Sequence, residues 1–150
     1  FFKLSLEKNA VYLLKKKLDF FCYFYYYNLI MSTKKVLVID DEDFIRELVR
    51  DFLELEHIQC DDAANAKTAA EMFSEGNYNL VLLDVNLGKS RVEDVIPQLK
   101  GIKPDVPIVL LTGDPQYDEA FSKEIGADGI ILKPFQVDSF ITHIGKFINN

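Results

Sequence analysis

The chain has 150 residues, 49% of them hydrophobic and 27% charged, with a formal net charge of -7. That is room for one domain with its own core, of ordinary globular composition. The acidic balance argues against binding a nucleic-acid backbone or an anionic membrane surface. The two cysteines, Cys22 and Cys60, fit no metal spacing and point to free thiols in a reducing cytoplasm.

The average hides a break. Residues 1–30 carry five Lys against Glu7 and Asp19, whereas residues 31–150 hold twelve basic and twenty-two acidic side chains. The first thirty have no Gly or Pro, begin with Phe, and draw 24 residues from Phe, Lys, Leu, Asn, Tyr and Ile. All six can be encoded by A and T alone. Met31-Ser-Thr-Lys-Lys follows at once. The expectation is a non-domain extension over 1–30, read through from an AT-rich upstream region, with Met31 the natural start and 31–150 the domain. An interfacial aromatic anchor and an extra helix on the domain are the alternatives. The apolar run Phe20 to Met31 is about twelve residues, short of the roughly 20 that span a bilayer, and no small-residue cleavage site follows it.

From Met31 the pattern alternates. "KVLVI" (35–39) is a continuous apolar run, as a fully buried parallel strand requires. Phe44, Ile45, Leu48, Val49, Phe52 and Leu53 then repeat at helical spacing. "IQCDDA" is a short polar strand expected at a sheet edge. Asn65 is placed to cap the helix "AKTAAEMFSE", which Gly76 ends. "NLVLLD" (79–84) is a second buried strand, and "VEDVIPQLKGI" a helix with Pro97 expected near its first turn. A third buried strand spans 106–114, a helix "YDEAFSKEIGA" follows, "GIILKPF" (129–135) is the last strand, and "QVDSFITHIGKFI" closes the chain as an amphipathic helix. Five strand-helix units predict an α/β (βα)5 domain: a parallel sheet with helices on both faces and its ligand site at the carboxyl ends of the strands.

Those ends carry the chemistry. Asp40 and Asp41 close the first strand, Asp84 the third, Thr112 the fourth and Lys133 the fifth. If the first and third strands are neighbours, three carboxylates converge on one pocket and repel strongly unless a cation joins them, and an all-oxygen set suits Mg²⁺. A carboxylate is also a nucleophile toward phosphorus, and phosphoryl transfer is mainly positioning and charge neutralisation, which a cation, Lys133, Thr112 and backbone N–H groups supply. Asp43 reads as a helix N-terminal charge and Glu42 as a solvated loop acid. His57 and His143 read as structural, and Cys60 as a small buried hydrophobe.

The ordered set "VLVIDDED", "LVLLDVNL", "VPIVLLTG" and "GIILKPF" resembles the receiver domain of two-component response regulators over essentially all of 31–150. The expectation is the stand-alone single-domain type, like the chemotaxis regulator, with no output domain after Asn150. The resemblance implies the flavodoxin-like fold with strand order 2-1-3-4-5. It implies Asp84 as the phosphoacceptor, Mg²⁺ on Asp41, Asp84 and the Asn86 backbone carbonyl with Asp40 acting mostly through water, Thr112 and Lys133 on phosphoryl oxygens, and a cis bond before Pro134. A histidine kinase or histidine phosphotransfer protein would supply the phosphate. A downstream protein would contact roughly Gln116 to Phe147. Asn86 and Asp114 would tune dephosphorylation, and both are polar, predicting a short-lived phosphate.

This sequence departs from the family at Ile130, where members often carry an aromatic switch residue, and at Gly88, where a proline is common. Three rival functions remain to weigh. A flavin-binding module of similar fold needs a phosphate loop after the first strand, where "DDED" would repel a phosphate. An aspartate-nucleophile phosphohydrolase resembles Asp-x-Asp at one strand end, where this chain has Asp84-Val-Asn86. A degenerate receiver acting only as a binding module is argued against by the intact acids, Thr112 and Lys133. The expectation is a regulator, not a turnover enzyme, without nucleic-acid binding or a membrane span.

Overall fold

Burial on both faces explains why the strands are apolar without alternation. The structure, a computed structural model, describes residues 34–148; the expectations for 1–30 and for a start at Met31 lie outside the described residues. Strand β1 is Lys35–Ile39, followed by helix α1 (Asp43–Leu55), β2 (Gln59–Ala63), α2 (Ala66–Glu75) and β3 (Leu80–Asp84). Two short strands, β4 (Asn86–Leu87) and β5 (Ser90–Arg91), precede α3 (Val92–Ile102). Then come β6 (Ile108–Thr112), α4 (Glu119–Glu124), β7 (Gly129–Leu132) and α5 (Val137–Ile148). The main sheet runs β2-β1-β3-β6-β7, with every neighbouring pair parallel. With the β4–β5 antiparallel hairpin set aside, this is the flavodoxin-like order 2-1-3-4-5.

Successive strand residues point to opposite faces. Leu37, Ile39, Val81, Leu83, Ile108 and Leu110 pack with Phe73 of α2 and Val95, Ile96 and Leu99 of α3. Val36, Val38, Leu80, Leu82, Val109 and Leu111 pack with Val49 and Leu53 of α1 and Phe140, Ile144 and Ile148 of α5. β2 is the polar edge strand that the sequence predicts, with only Ala63 fully buried. Asn65 caps α2, its side chain accepting from the Thr68 N–H at 2.9 Å.

Several boundaries differ from the sequence reading. α4 has only six residues, because Asp118 takes the cap position and accepts from the Phe121 N–H, leaving Tyr117 outside. Gly126, at φ +83, sits just past its end. β7 stops at Leu132, so Lys133, Pro134 and Phe135 belong to a loop. Pro97 is not near the first turn of α3: the helix starts at Val92 and encloses it. Its missing N–H leaves one helical carbonyl without its usual donor, on an exposed face. Among the described residues, no helix is long and apolar enough to cross a membrane.

Candidate functional site

Strand register assembles the site. Ile39 pairs with Leu83 across β1 and β3, so the next residues, Asp40 and Asp84, stand side by side at strand spacing. Thr112 pairs with Leu132, which places Lys133 one step beyond, at the same edge. Asp40, Asp84 and Thr112 are 0%, 3% and 0% exposed, while Asp41 faces solvent. Carboxylate oxygens of Asp40, Asp41 and Asp84 lie within 4.8 Å of one another, a group able to hold a metal ion.

Lys133 links the two buried acids. Its Nζ donates to Asp40 Oδ2 at 2.7 Å and to Asp84 Oδ1 at 2.9 Å, with Glu42 Oε1 at 3.9 Å. The remaining oxygens are also engaged. Asp40 Oδ1 accepts from the Glu42 N–H at 2.9 Å, and Asp84 Oδ2 accepts from the Asn86 N–H at 3.0 Å. Burial pushes the Asp84 carboxyl up; the Lys133 bond and charge pull it back, Asp40 adds repulsion, and the net direction is upward. For Lys133, burial disfavours the charged form, but bonds to Asp40 and Asp84 outweigh it and raise its pKa.

Thr112 is held by the loop that follows it. Its Oγ1 accepts from the Asp114 N–H at 3.1 Å and donates to the Asp114 carbonyl at 3.4 Å. Asp114 itself is bound to Gln116: Oδ1 accepts from the backbone N–H at 3.0 Å and Oδ2 from Nε2 at 2.5 Å. The Asn86 side chain is exposed, and its carbonyl accepts from the Gly88 N–H at 3.1 Å; a carbonyl has a second lone pair for another partner. Gly88 has φ +56, and a Cβ there would meet Asp41 Oδ2 at 3.7 Å, so the hairpin tip lies over Asp41. Ile130 is buried at 8% exposure, and the Lys133–Pro134 bond is cis.

The other expected residues fall outside this group. Asp43 opens α1 and pairs with Arg46. His57, at φ 57, precedes β2 at the amino end of the sheet. His143 lines a groove with Tyr117, Ile130 and Phe135; burial and then the Lys146 charge lower its pKa. Cys60 is half-buried, and burial pushes its thiol up to about 12. Arg46 is a contact the sequence reading missed: Nη1 donates to the Asp40 carbonyl at 2.7 Å. The available signal was an arginine one turn after the acid run, adjoining the apolar stripe of α1.

Hard oxygen donors, two anionic and buried, one anionic and open to water, are the chemistry of a Mg²⁺ site. The chain matches the family model described as response regulator receiver domain over residues 36–145. It is 37% identical over 101 residues to the transcriptional regulatory protein SrrA of Staphylococcus aureus, covering 67% of this chain and 42% of that protein. It is 28% identical over 111 residues to the regulatory protein VirG of Agrobacterium tumefaciens, covering 73% and 41%. The chain thus spans about two-fifths of the length of these curated relatives. Among solved structures, the response regulator TrrA of Thermotoga maritima in complex with Mg(2+)-BeF superposes with TM-score 0.69 at 34% identity, covering 77% of this chain and 99% of that one. The chemotaxis protein CheY4 of Vibrio cholerae matches in fold, with TM-score 0.71 at 22% identity over 77% of this chain and 99% of that one. By sequence and by fold, this chain belongs to the response regulator receiver domain family.

Proposed function

We propose that Asp84 accepts a phosphoryl group from a phosphohistidine of a kinase or phosphotransfer protein. The observation that carries this reading is the shared Lys133 ammonium, 2.7 Å from Asp40 and 2.9 Å from Asp84, in a rim that still holds more carboxylates than cations. Asp41, Asp84 and the Asn86 carbonyl would hold Mg²⁺, with Asp40 acting through water. The bound ion supplies neutralising charge and a position for a phosphoryl oxygen. An Asp84 oxygen attacks phosphorus as the bond from phosphorus to the donor imidazole nitrogen breaks, and the electron pair leaves with that nitrogen. Lys133 exchanges its bond to Asp84 for one to a phosphoryl oxygen. Thr112 gives up its bond to the Asp114 carbonyl and donates to a second oxygen.

Signalling then follows from the Thr112 and Lys133 movements. Leu132 and Pro134, which flank Lys133 in the chain, line a groove of about 470 Å³ with Tyr117, Ile130, Phe135 and His143, within the expected partner surface Gln116 to Phe147. Leu132 is 50% exposed there. Ile130 carries no ring to rotate inward, so the change on this face runs through the 112–116 loop and the β7 backbone. The protein acts as a regulator that catalyses only its own phosphorylation and dephosphorylation.

Incubation with Mg²⁺ and phosphoramidate tests the reading. An acid-stable, base-labile adduct is expected on Asp84, lost in Asp84→Asn and without Mg²⁺. An adduct on another residue, or none, rejects it.

A further inference from the structure

Arg46 stands on the first turn of α1 with its side chain only 12% exposed, and its guanidinium reaches three pieces of the fold. Nη1 donates to the Asp40 backbone carbonyl at 2.7 Å. Nε donates to Asp62 of β2 at 2.8 Å, and Nη2 pairs with Asp43 at the start of α1. A planar fork fixes these directions together, which an ammonium on a flexible stem does not.

The first contact matters most. The Asp40 carbonyl belongs to the peptide joining Asp40 to Asp41, and a peptide is a rigid plane. Holding its oxygen sets the directions in which the two carboxylates leave the backbone. On the other side, the Asp40 N–H donates to the Ala63 carbonyl at 3.1 Å, so Asp40 is held from both flanks. Asp62, the anchor for Nε, is itself gripped by Arg50, one turn further along α1.

We infer that Arg46 is a positioning residue for the cation site, holding the Asp40 and Asp41 carboxylates in the arrangement that takes a divalent ion by clamping their shared peptide between α1 and β2. The inference rests on the proposed reading of the rim as a Mg²⁺ site. Electrostatics alone acts in the opposite direction. Removing the Arg46 charge makes the rim more negative and favours a cation, so weaker binding in an uncharged variant has to come from lost geometry.

The test is calorimetric titration of Mg²⁺ into the full chain, as wild type, Arg46→Ala, Arg46→Lys and Arg50→Ala, with phosphoramidate labelling across Mg²⁺ concentrations. Arg46→Ala raises the Mg²⁺ Kd by about tenfold, the low end of what outer-sphere partners contribute. Arg46→Lys, which keeps the charge but not the fork, moves it the same way by less. Arg50→Ala, which shares Asp62 but not the Asp40 carbonyl, stays near wild type. At saturating Mg²⁺ both Arg46 variants label at close to the wild-type rate, a split between affinity and rate that general loss of structure does not give. Equal or tighter Mg²⁺ binding by Arg46→Ala overturns the inference, as does a labelling rate that stays low at saturating Mg²⁺, or an equal loss in Arg50→Ala. If circular dichroism shows Arg46→Ala unfolded, unchanged affinity in Arg46→Lys overturns it instead. Those failures leave the cation reading standing; a wild type that binds no Mg²⁺ removes that reading and the inference with it.

Discussion

Two sets of acids, Asp61 and Asp62 on the opposite faces of β2 and the acids of the carboxyl rim, are built on opposite terms. At the edge strand β2, Asp61 pairs with Lys35 at 2.6 Å and accepts from the Tyr78 hydroxyl at 2.6 Å, while Asp62 is held by both Arg46 and Arg50. Two carboxylates there have three cations. At the carboxyl rim, Asp40, Asp41 and Asp84 have Lys133 among them, with Glu42 at the margin. The edge is a finished electrostatic arrangement. The rim is short of positive charge while two of its acids are buried, and the proposed function assigns to a divalent cation the task of making up that shortage before a phosphoryl group arrives.

Removing one partner from the acids at each place should therefore have unequal effects. Lys133→Ala leaves Asp40 and Asp84 buried without their ammonium and should cost about 3–5 kcal/mol in urea unfolding without metal. Mg²⁺ should recover part of the loss. At the edge, Tyr78→Phe removes one hydrogen bond to a charged acceptor, and about 1.5–3 kcal/mol is expected. A Lys133→Ala cost no larger than that of Tyr78→Phe would erase the distinction between the two sets.

The two sets should also respond to pH with opposite sign. Burial raises the Asp61 carboxyl, but the Lys35 and Tyr78 bonds outweigh it and the net direction is down. Its stabilisation is present above the ordinary carboxylate value of about 3.9 and is lost as pH falls through the lowered folded value. The Asp84 pKa is raised, first by burial. The folded state keeps that proton longer than the unfolded chain does. Its contribution is most favourable below the ordinary value and declines as pH rises from there through the raised one. Relative to wild type, Asp84→Asn should gain stability with rising pH across the carboxylate range, and Asp61→Asn should lose it. Urea titrations from acid to neutral pH measure both slopes.

The smallest effect concerns Cys60 on β2. With its thiol pushed up to about 12 by burial, alkylation at neutral pH should be slow in the folded protein and fast in urea. A Cys22→Ser background isolates the signal, and equal rates in both states would contradict the assigned environment.

What the sequence made legible was local or periodic. Unbroken runs such as "LVLL" (80–83) mark strands buried on both faces, and the Asn65 cap sits three residues before the N–H it accepts. The rim residues were legible because each follows an apolar run, so the strand ends align them without knowledge of the loops. The six-residue α4 was not, since helical periodicity continues past the point where Asp118 caps it and Gly126 ends it. Nor was the grip of Gln116 on both Asp114 oxygens, which depends on how one turn folds. That grip bears on phosphate lifetime. Asp114→Ala should change dephosphorylation less than Asn86→Leu, because Asp114 is already occupied, and decay of labelled protein after donor removal measures the difference. Arg46 was hidden for another reason: its acceptor at the rim is a backbone carbonyl, which side-chain patterns do not reveal.

The most direct test is a crystal structure with Mg²⁺ and beryllofluoride. The account predicts beryllium joined to the Asp84 carboxylate, Mg²⁺ on Asp41, Asp84 and the Asn86 carbonyl, and Lys133 moved from Asp84 to a fluoride. A rim in which Lys133 still bridges Asp40 and Asp84, with the ions bound elsewhere, would contradict it.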